Sequence, residues 1–271
     1  MQTPFGHLTY CTNIHSGESW SEHFAQLQQH LPLIKQSISP HAPLGLGLRL
    51  SNKASEALSS QESLNEFKSW LTEQDVYVFT MNGFPYGGFH GTVVKDNVHA
   101  PDWQTEDRLQ YTLRLAHILA QLLPDGMEGG ISTSPLSYRF WFEDAANESE
   151  AKTKATENIL NAAAALYDLK KKTGKFIHLD IEPEPDGLLE NGAEFLDWYN
   201  HTLLPTGINY FQKHFDYSAA ASEAIIKEHV QLCYDVCHFA IGFEDHKTYL
   251  KQLEEAGIKV GKLQISAALK A

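Results

Sequence analysis

Ile177-His178-Leu179-Asp180-Ile181-Glu182 restricts the fold more than any other stretch of this chain. Successive side chains of a β-strand point to opposite faces. As a strand, the segment has one face of Ile177, Leu179 and Ile181 and another of His178, Asp180 and Glu182. Ionisable groups leave water only when they are paired or bound to a cation. A strand of this kind belongs between an apolar helix layer and a polar interior, which is the setting of a barrel strand. Leu44 to Ser51 repeats the pattern: Leu44, Leu46, Leu48 and Leu50 alternate with Gly45, Gly47, Arg49 and Ser51.

Strand and helix patterns alternate through the whole sequence. Strands are predicted at about 8–14, 44–51, 76–82, 129–136, 176–182, 231–236 and 259–267. Helices are predicted at about 19–38, 63–73, 105–123, 148–173, 193–215 (broken near Pro205 and Gly207), 222–229 and 243–256. Such an order implies a parallel sheet with right-handed crossovers. An open sheet buries both faces under helices and would be aliphatic on both, so the polar strand faces favour a (β/α)8 TIM barrel. Seven units are countable. The eighth is missing or irregular, either because the chain is truncated or because the barrel closes in another way. The expectation is one barrel domain over 1–271, with the long segment 83–103 lying over its C-terminal mouth.

The totals narrow the partners. Thirty-four acidic against 21 basic residues give a net charge of −13, which repels phosphate backbones and argues against nucleic acid. No apolar run is long enough to span a membrane. Three cysteines, without a signal-peptide pattern, suit a reducing cytoplasm. Self-association into a homo-oligomer stays open.

Barrel enzymes keep their chemistry at the C-terminal ends of strands. Glu182 is predicted there, ahead of the rigid Pro183-Glu184-Pro185-Asp186-Gly187 loop. An interior ion pair with Arg49 is the competing reading for Glu182. Asp235 ends the sixth strand and His238 follows in what reads as a loop. Oxygen donors with an imidazole suit Mn, Mg, Zn or Fe. Gln264, Ser266 and Lys262 share the inward face of the seventh strand. Cys233 and Cys237, at C-x3-C spacing without further cysteines, read as core residues rather than zinc ligands. His15, His90 and His99 are open candidates in loops. Asn82, Phe84, Tyr86, Phe89 and His90, with Arg49 and Asp180, are candidate contacts for a small molecule.

Ile181-Glu182-Pro183 and Cys233-Tyr234-Asp235-Val236-Cys237-His238-Phe239 resemble the fifth-strand Glu and sixth-strand D-x-x-H of the xylose-isomerase-like TIM-barrel superfamily of sugar isomerases, epimerases and endonuclease IV. That resemblance implies a divalent metal (Mn, Mg or Zn) held by Glu182 and Asp235, with His238 ligating the metal or contacting substrate. The seventh-strand ligand is usually His or Asp, whereas Gln264 stands at the aligned position. At a finer level the chain is similar to the metabolite traffic protein EboE family, through His7 to Asn13, Thr80 to Gly87, His178 to Pro183 and Leu263 to Leu269. This second resemblance implies a part in moving a secondary-metabolite precursor.

These readings converge on a metal-dependent isomerase or epimerase of a small polyhydroxy or keto metabolite. Glu182, which would hold the metal, counts among the catalytic residues, and Glu184, His178 and the loop histidines compete for the role of base. The alternative is a carrier built on a degenerate barrel. Leu44, Leu46, Leu48, Leu50, Ile177, Leu179, Ile181, Leu263 and Ile265 are expected to face the helices. Arg49, Asp180, Glu182 and Gln264 are expected to face inward.

Overall fold

The computed structural model describes residues 1–88 and 95–267. Phe89 and His90, and Ala268 and Leu269 of the last motif, lie outside the described residues. Seven strands form one parallel sheet in sequential order: β1 (Thr9–Cys11), β2 (Leu44–Arg49), β3 (Val76–Asn82), β4 (Gly129–Thr133), β5 (Ile177–Ile181), β6 (Val230–Asp235) and β7 (Val260–Gln264). A two-stranded antiparallel hairpin, Gln2–Thr3 with Gly6–His7, precedes them.

Lys262 shows how far the sheet curls. Its Nζ, on the last strand, bonds Ser132 Oγ on β4 at 3.0 Å and lies 3.5 Å from Met81 O on β3. β1 and β7 are not paired with each other. The architecture is therefore a (β/α) barrel of seven strands left open between its first and last.

Helices cover the outside, and their ends are written into the sequence. α1 (Trp20–Ile38) starts at a reciprocal capping box: Glu22 N–H donates to Ser19 Oγ and Ser19 N–H donates to Glu22 Oε2. Trp20, Phe24, Leu27 and Leu31 form its buried stripe. α2 (Asn52–Leu58) and α3 (Gln61–Glu73) precede β3, and α4 (Glu106–Leu122) follows it. α5 (Ala145–Thr173) is capped by Asp144 and ends at Gly174, whose φ of 73° a side chain would oppose. α6 (Gly192–Trp198) runs through one π turn into α7 (Leu204–Phe215). The break expected near Pro205 is not a gap between helices: Pro205 sits in the first turn of α7, directly after the π turn. α8 (Ala219–His229), α9 (Val236–Ile241) and α10 (His246–Ala256) complete the layer.

The aliphatic faces of β2 and β5 are buried against these helices: Leu44, Leu46, Leu48, Leu50, Ile177, Leu179 and Ile181 are all at most 1% exposed. On the opposite faces Arg49, Asp180 and Glu182 are buried too. The register expected for these two strands holds.

Three expectations are corrected. Leu263 and Ile265 are 53% and 77% exposed, because among the described residues no helix follows β7 to cover its outer side. His238 lies on a helix, not in a loop. Asp235 accepts the Cys237 N–H at 2.9 Å and thereby caps α9. Arg49 is not the interior partner of the carboxylates; its guanidinium donates to Gly87 O and sits near Glu18. Burial raises the carboxyls of both Asp180 and Glu182, and the cation that offsets part of that rise at both is Lys262.

Candidate functional site

Two polar layers occupy the barrel interior. In the lower one, His178 Nδ1 lies 2.6 Å from Asp180 Oδ1. Burial lowers the imidazole, yet Asp180 outweighs it and holds His178 above its ordinary range. A Cβ on Gly261 would meet Asp180 Oδ1 at 2.0 Å, and one on Gly130 would meet Asp180 Oδ2 at 2.5 Å. Neighbouring strands approach this pair too closely for any side chain. Four residues of strand put His178 roughly 13 Å below Glu182, so the structure does not bring it to the mouth. His178 and Asp180 form a buried structural pair.

The upper layer is built at the C-terminal strand ends. Glu182 continues β5 by donating its N–H to Thr133 O at 3.0 Å. Pro183 and Pro185 then prevent further pairing, and the turn is fastened to the neighbouring loop: Arg139 N–H to Asp186 O at 2.8 Å, Leu188 N–H to Ser137 O at 2.9 Å. Glu184 is thus held rigidly beside Glu182. Gln264 Nε2 on β7 donates to Glu182 Oε1 at 2.7 Å and to Asp235 Oδ2 at 2.8 Å. Ser266 donates its hydroxyl to Asp235 Oδ1. His238 Nδ1 lies 3.2 Å from Pro183 O, and its Nε2 is 3.9 Å from Glu184 Oε2.

Electrostatics separates the two main carboxylates. Burial, then the Glu184 and Asp235 charges, push Glu182 up to about 8. Burial also acts to raise Asp235, but the Ser266 hydroxyl, His238 and the Cys237 amide outweigh it and hold it below its ordinary range. At neutral pH Glu182 is therefore protonated while Asp235 is ionised, a division suited to acid–base chemistry.

The segment after β3 adds an imidazole. His99 Nε2 lies 3.0 Å from Glu184 Oε1. Of the two described loop histidines left open by the sequence, His15 and His99, the structure places His99 at this site. Phe84 packs its ring 5.3 Å from His99, and Tyr138 lies 5.2 Å away on another side. Asn82 is used locally, accepting the Phe84 N–H at 3.0 Å. Tyr86 packs on Tyr111, centroids 5.1 Å apart, away from the carboxylates.

Sequence reasoning gave Arg108 no role. It is fully buried and donates to Gly83 O and Phe84 O, each at 2.8 Å, and to Pro101 O at 2.8 Å. One guanidinium thereby ties together the two feet of the 83–103 segment. An arginine three residues into a helix gives no signal of this. Cys237 was read as core; it is half-buried beside Asp235 and His238.

No protein-family model matches the chain, and comparison with curated proteins gives no match. Solved structures give weak similarities to xylose isomerase-like proteins. The IOLI protein with a binding zinc atom is 14% identical with a TM-score of 0.49, over 93% of this chain and 70% of that one. A xylose isomerase domain protein from Planctomyces limnophilus is 13% identical with a TM-score of 0.48, over 84% of this chain and 64% of its own. A D-tagatose 3-epimerase-like protein is 10% identical with a TM-score of 0.41, over 95% and 89%. No described helix is long and apolar enough to cross a membrane.

Proposed function

We propose that the barrel mouth is the site of a divalent-metal-dependent isomerase or epimerase acting on a small polyhydroxy or keto metabolite. The observation that carries this reading is the convergence of Glu182, Asp235, Gln264, His238 and the His99–Glu184 pair at the C-terminal ends of β5, β6 and β7.

The donor set fits a divalent cation. Gln264 presents its NH₂ to two carboxylate oxygens at once, so partial positive charge already occupies the point between them. Turning the amide by 180° presents Oε1 instead, the orientation a cation there requires. Glu182, Asp235 and His238 would hold the ion, with Gln264 contributing its carbonyl oxygen. A cation held there would supply electrostatic stabilisation for charge developing on a substrate carbonyl oxygen.

This chain's own groups do the rest. Glu184 is positioned to take or return the carbon-bound proton, oriented by His99. Phe84 and Tyr138 pack their rings against that imidazole. Around the mouth Glu182, Glu184 and Asp235 outnumber Lys262 among the described residues, which suits a neutral, hydroxyl-rich substrate better than a phosphorylated one. Metal analysis of purified protein tests the reading: one divalent ion per chain, lost in the Glu182→Gln, Asp235→Asn double variant, supports it, and a metal-free wild type sinks it.

The same Gln264 bridge favours one second reading, a carrier on a retired barrel, in which the amide permanently replaces the ion. Metabolite binding would then survive chelator, with no exchange of carbon-bound hydrogen in D₂O. A place in secondary-metabolite traffic and a cytoplasmic setting are further proposals; the first rests on the motif resemblance and the second on the three free thiols.

A further inference from the structure

We infer, on the reading that the mouth takes a divalent ion, that Cys237 is one of its ligands and makes the site selective for a thiophilic ion, zinc above all. The set is Asp235, Cys237 and His238. One ligand-capable atom from each lies within 4.8 Å of the other two, and this is the one such group of three among the described residues.

The chain path explains the convergence. Asp235 is the last residue of β6 and the cap of α9. Capping folds the chain back at once, so the side chains of Cys237 and His238, in the first turn, stay beside the carboxylate that nucleated it. The Cys237 N–H is shared between Asp235 Oδ1 at 2.9 Å and Ser266 Oγ at 3.1 Å, which fixes that backbone against β7. Ligand atoms around a tetrahedral zinc are roughly 3.5 Å apart, given bonds of about 2.0–2.3 Å.

His238 has the second contact expected of a metal-bound imidazole. Its Nδ1 is 3.2 Å from Pro183 O. Donation there fixes the tautomer and leaves the Nε2 lone pair for an ion.

The other thiols do not share this setting. Cys233 is fully buried, with its Sγ 3.6 Å from Glu182 Oε2, and belongs to no such group of three among the described residues. Cys11 is exposed on β1, the opposite edge of the sheet. Glu182, Asp235 and an amide oxygen alone are hard donors that suit magnesium or manganese. Adding a thiolate and an imidazole moves the preference to zinc or cobalt. The identity of the ion is thus decided by a residue that the D-x-x-H pattern leaves unspecified.

Cobalt(II) titrated into the purified full chain is the test. Bound by Cys237, it gives a near-ultraviolet thiolate-to-cobalt charge-transfer band that zinc abolishes. Cys237→Ser loses the band and cuts the preference for zinc over manganese at least about tenfold; Cys11→Ser and Cys233→Ser keep both. A readout in the unaltered protein covers a folding defect in the variant: one equivalent of zinc slows iodoacetamide alkylation of Cys237 at least about tenfold while Cys11 reacts as before. Cobalt that binds with visible d–d absorption but no thiolate band overturns this inference and leaves the isomerase reading standing on oxygen and imidazole ligands. A band lost in Cys233→Ser instead also overturns it. Absence of any bound cobalt overturns both.

Discussion

His99 Nε2 lies 3.0 Å from Glu184 Oε1, with both side chains largely withdrawn from water. The two residues come from different loops, one leading out of the segment after β3 and one following β5. His99 Nδ1 has no hydrogen-bond partner among the described residues, so Glu184 is the polar contact that orients the ring. In return the imidazole holds Glu184 turned toward the mouth rather than toward solvent.

If Glu184 moves the proton, Glu184→Gln lowers the rate of solvent deuterium entry into a substrate by about 10²–10⁴-fold and leaves the metal content unchanged. His99→Leu lowers the rate less, whereas His99→Gln, which retains a donor, restores most of it. Deuterium incorporation followed by NMR across a panel of aldoses, ketoses and keto acids checks this. An unaltered rate in Glu184→Gln assigns the base elsewhere.

Glu182 makes stability depend on pH in a definite direction. Its carboxyl titrates near 4.5 when unfolded and at about 8 in the fold, so the folded form holds an extra proton between those values. The stabilising effect is complete below about pH 4.5 and is lost as pH rises to about 8, at up to about 1.4 kcal/mol per unit. In chelator-treated protein, Glu182→Gln should therefore flatten the stability curve over that window and be the more stable form at pH 8. Urea unfolding at three pH values decides it; parallel curves for the two proteins would contradict the buried, protonated carboxyl.

How much of this the sequence discloses depends on the range of the interaction. The faces of β2 and β5 are legible because alternation is local, and a slip of one residue would bury Asp180 and Glu182 among helices. Capping signals at Ser19 and Gly174 are equally local, whereas the expected start of α5 at 148 misses the Asp144 cap. Asp235 shows where local reading stops: D-x-x-H fits both a cap and a ligand pair, and Asp235 serves as a cap while facing the site. The bonds from Arg108 to Gly83 and Phe84, and from Lys262 to Ser132, depend on how elements fold over one another. Nothing in their flanking residues marks them.

The lower polar layer can be tested through a glycine. A Cβ at Gly261 would lie 2.0 Å from Asp180 Oδ1 and 2.7 Å from His178 Nδ1, and neither atom belongs to a flexible chain end free to leave. Gly261→Ala is expected to cost about 1–3 kcal/mol from overpacking and to lower the melting temperature by several degrees. Gly126, with nothing within 4 Å of its Cβ position but a φ of 75°, is the control for backbone strain alone. Equal losses at the two positions would remove the claim that β7 presses on the His178–Asp180 pair.

The outer face of β7 gives the last contrast. Leu179 and Leu263 both follow the aliphatic alternation of their strands, and from sequence they look equivalent. Leu179 is fully buried under helices, whereas Leu263 is 53% exposed on the strand at the open side of the barrel. Truncating a buried leucine removes transfer energy and leaves a cavity, at about 2–5 kcal/mol. Substitution at an exposed site without special contacts stays within about 0.5 kcal/mol. Leu179→Ala should therefore unfold at markedly lower urea than wild type, while Leu263→Ser and Ile265→Ser hardly change the midpoint. A loss of 2 kcal/mol or more in Leu263→Ser would mean that this face is covered in solution, by another copy or by further chain, and size-exclusion measurements of both proteins would then identify which.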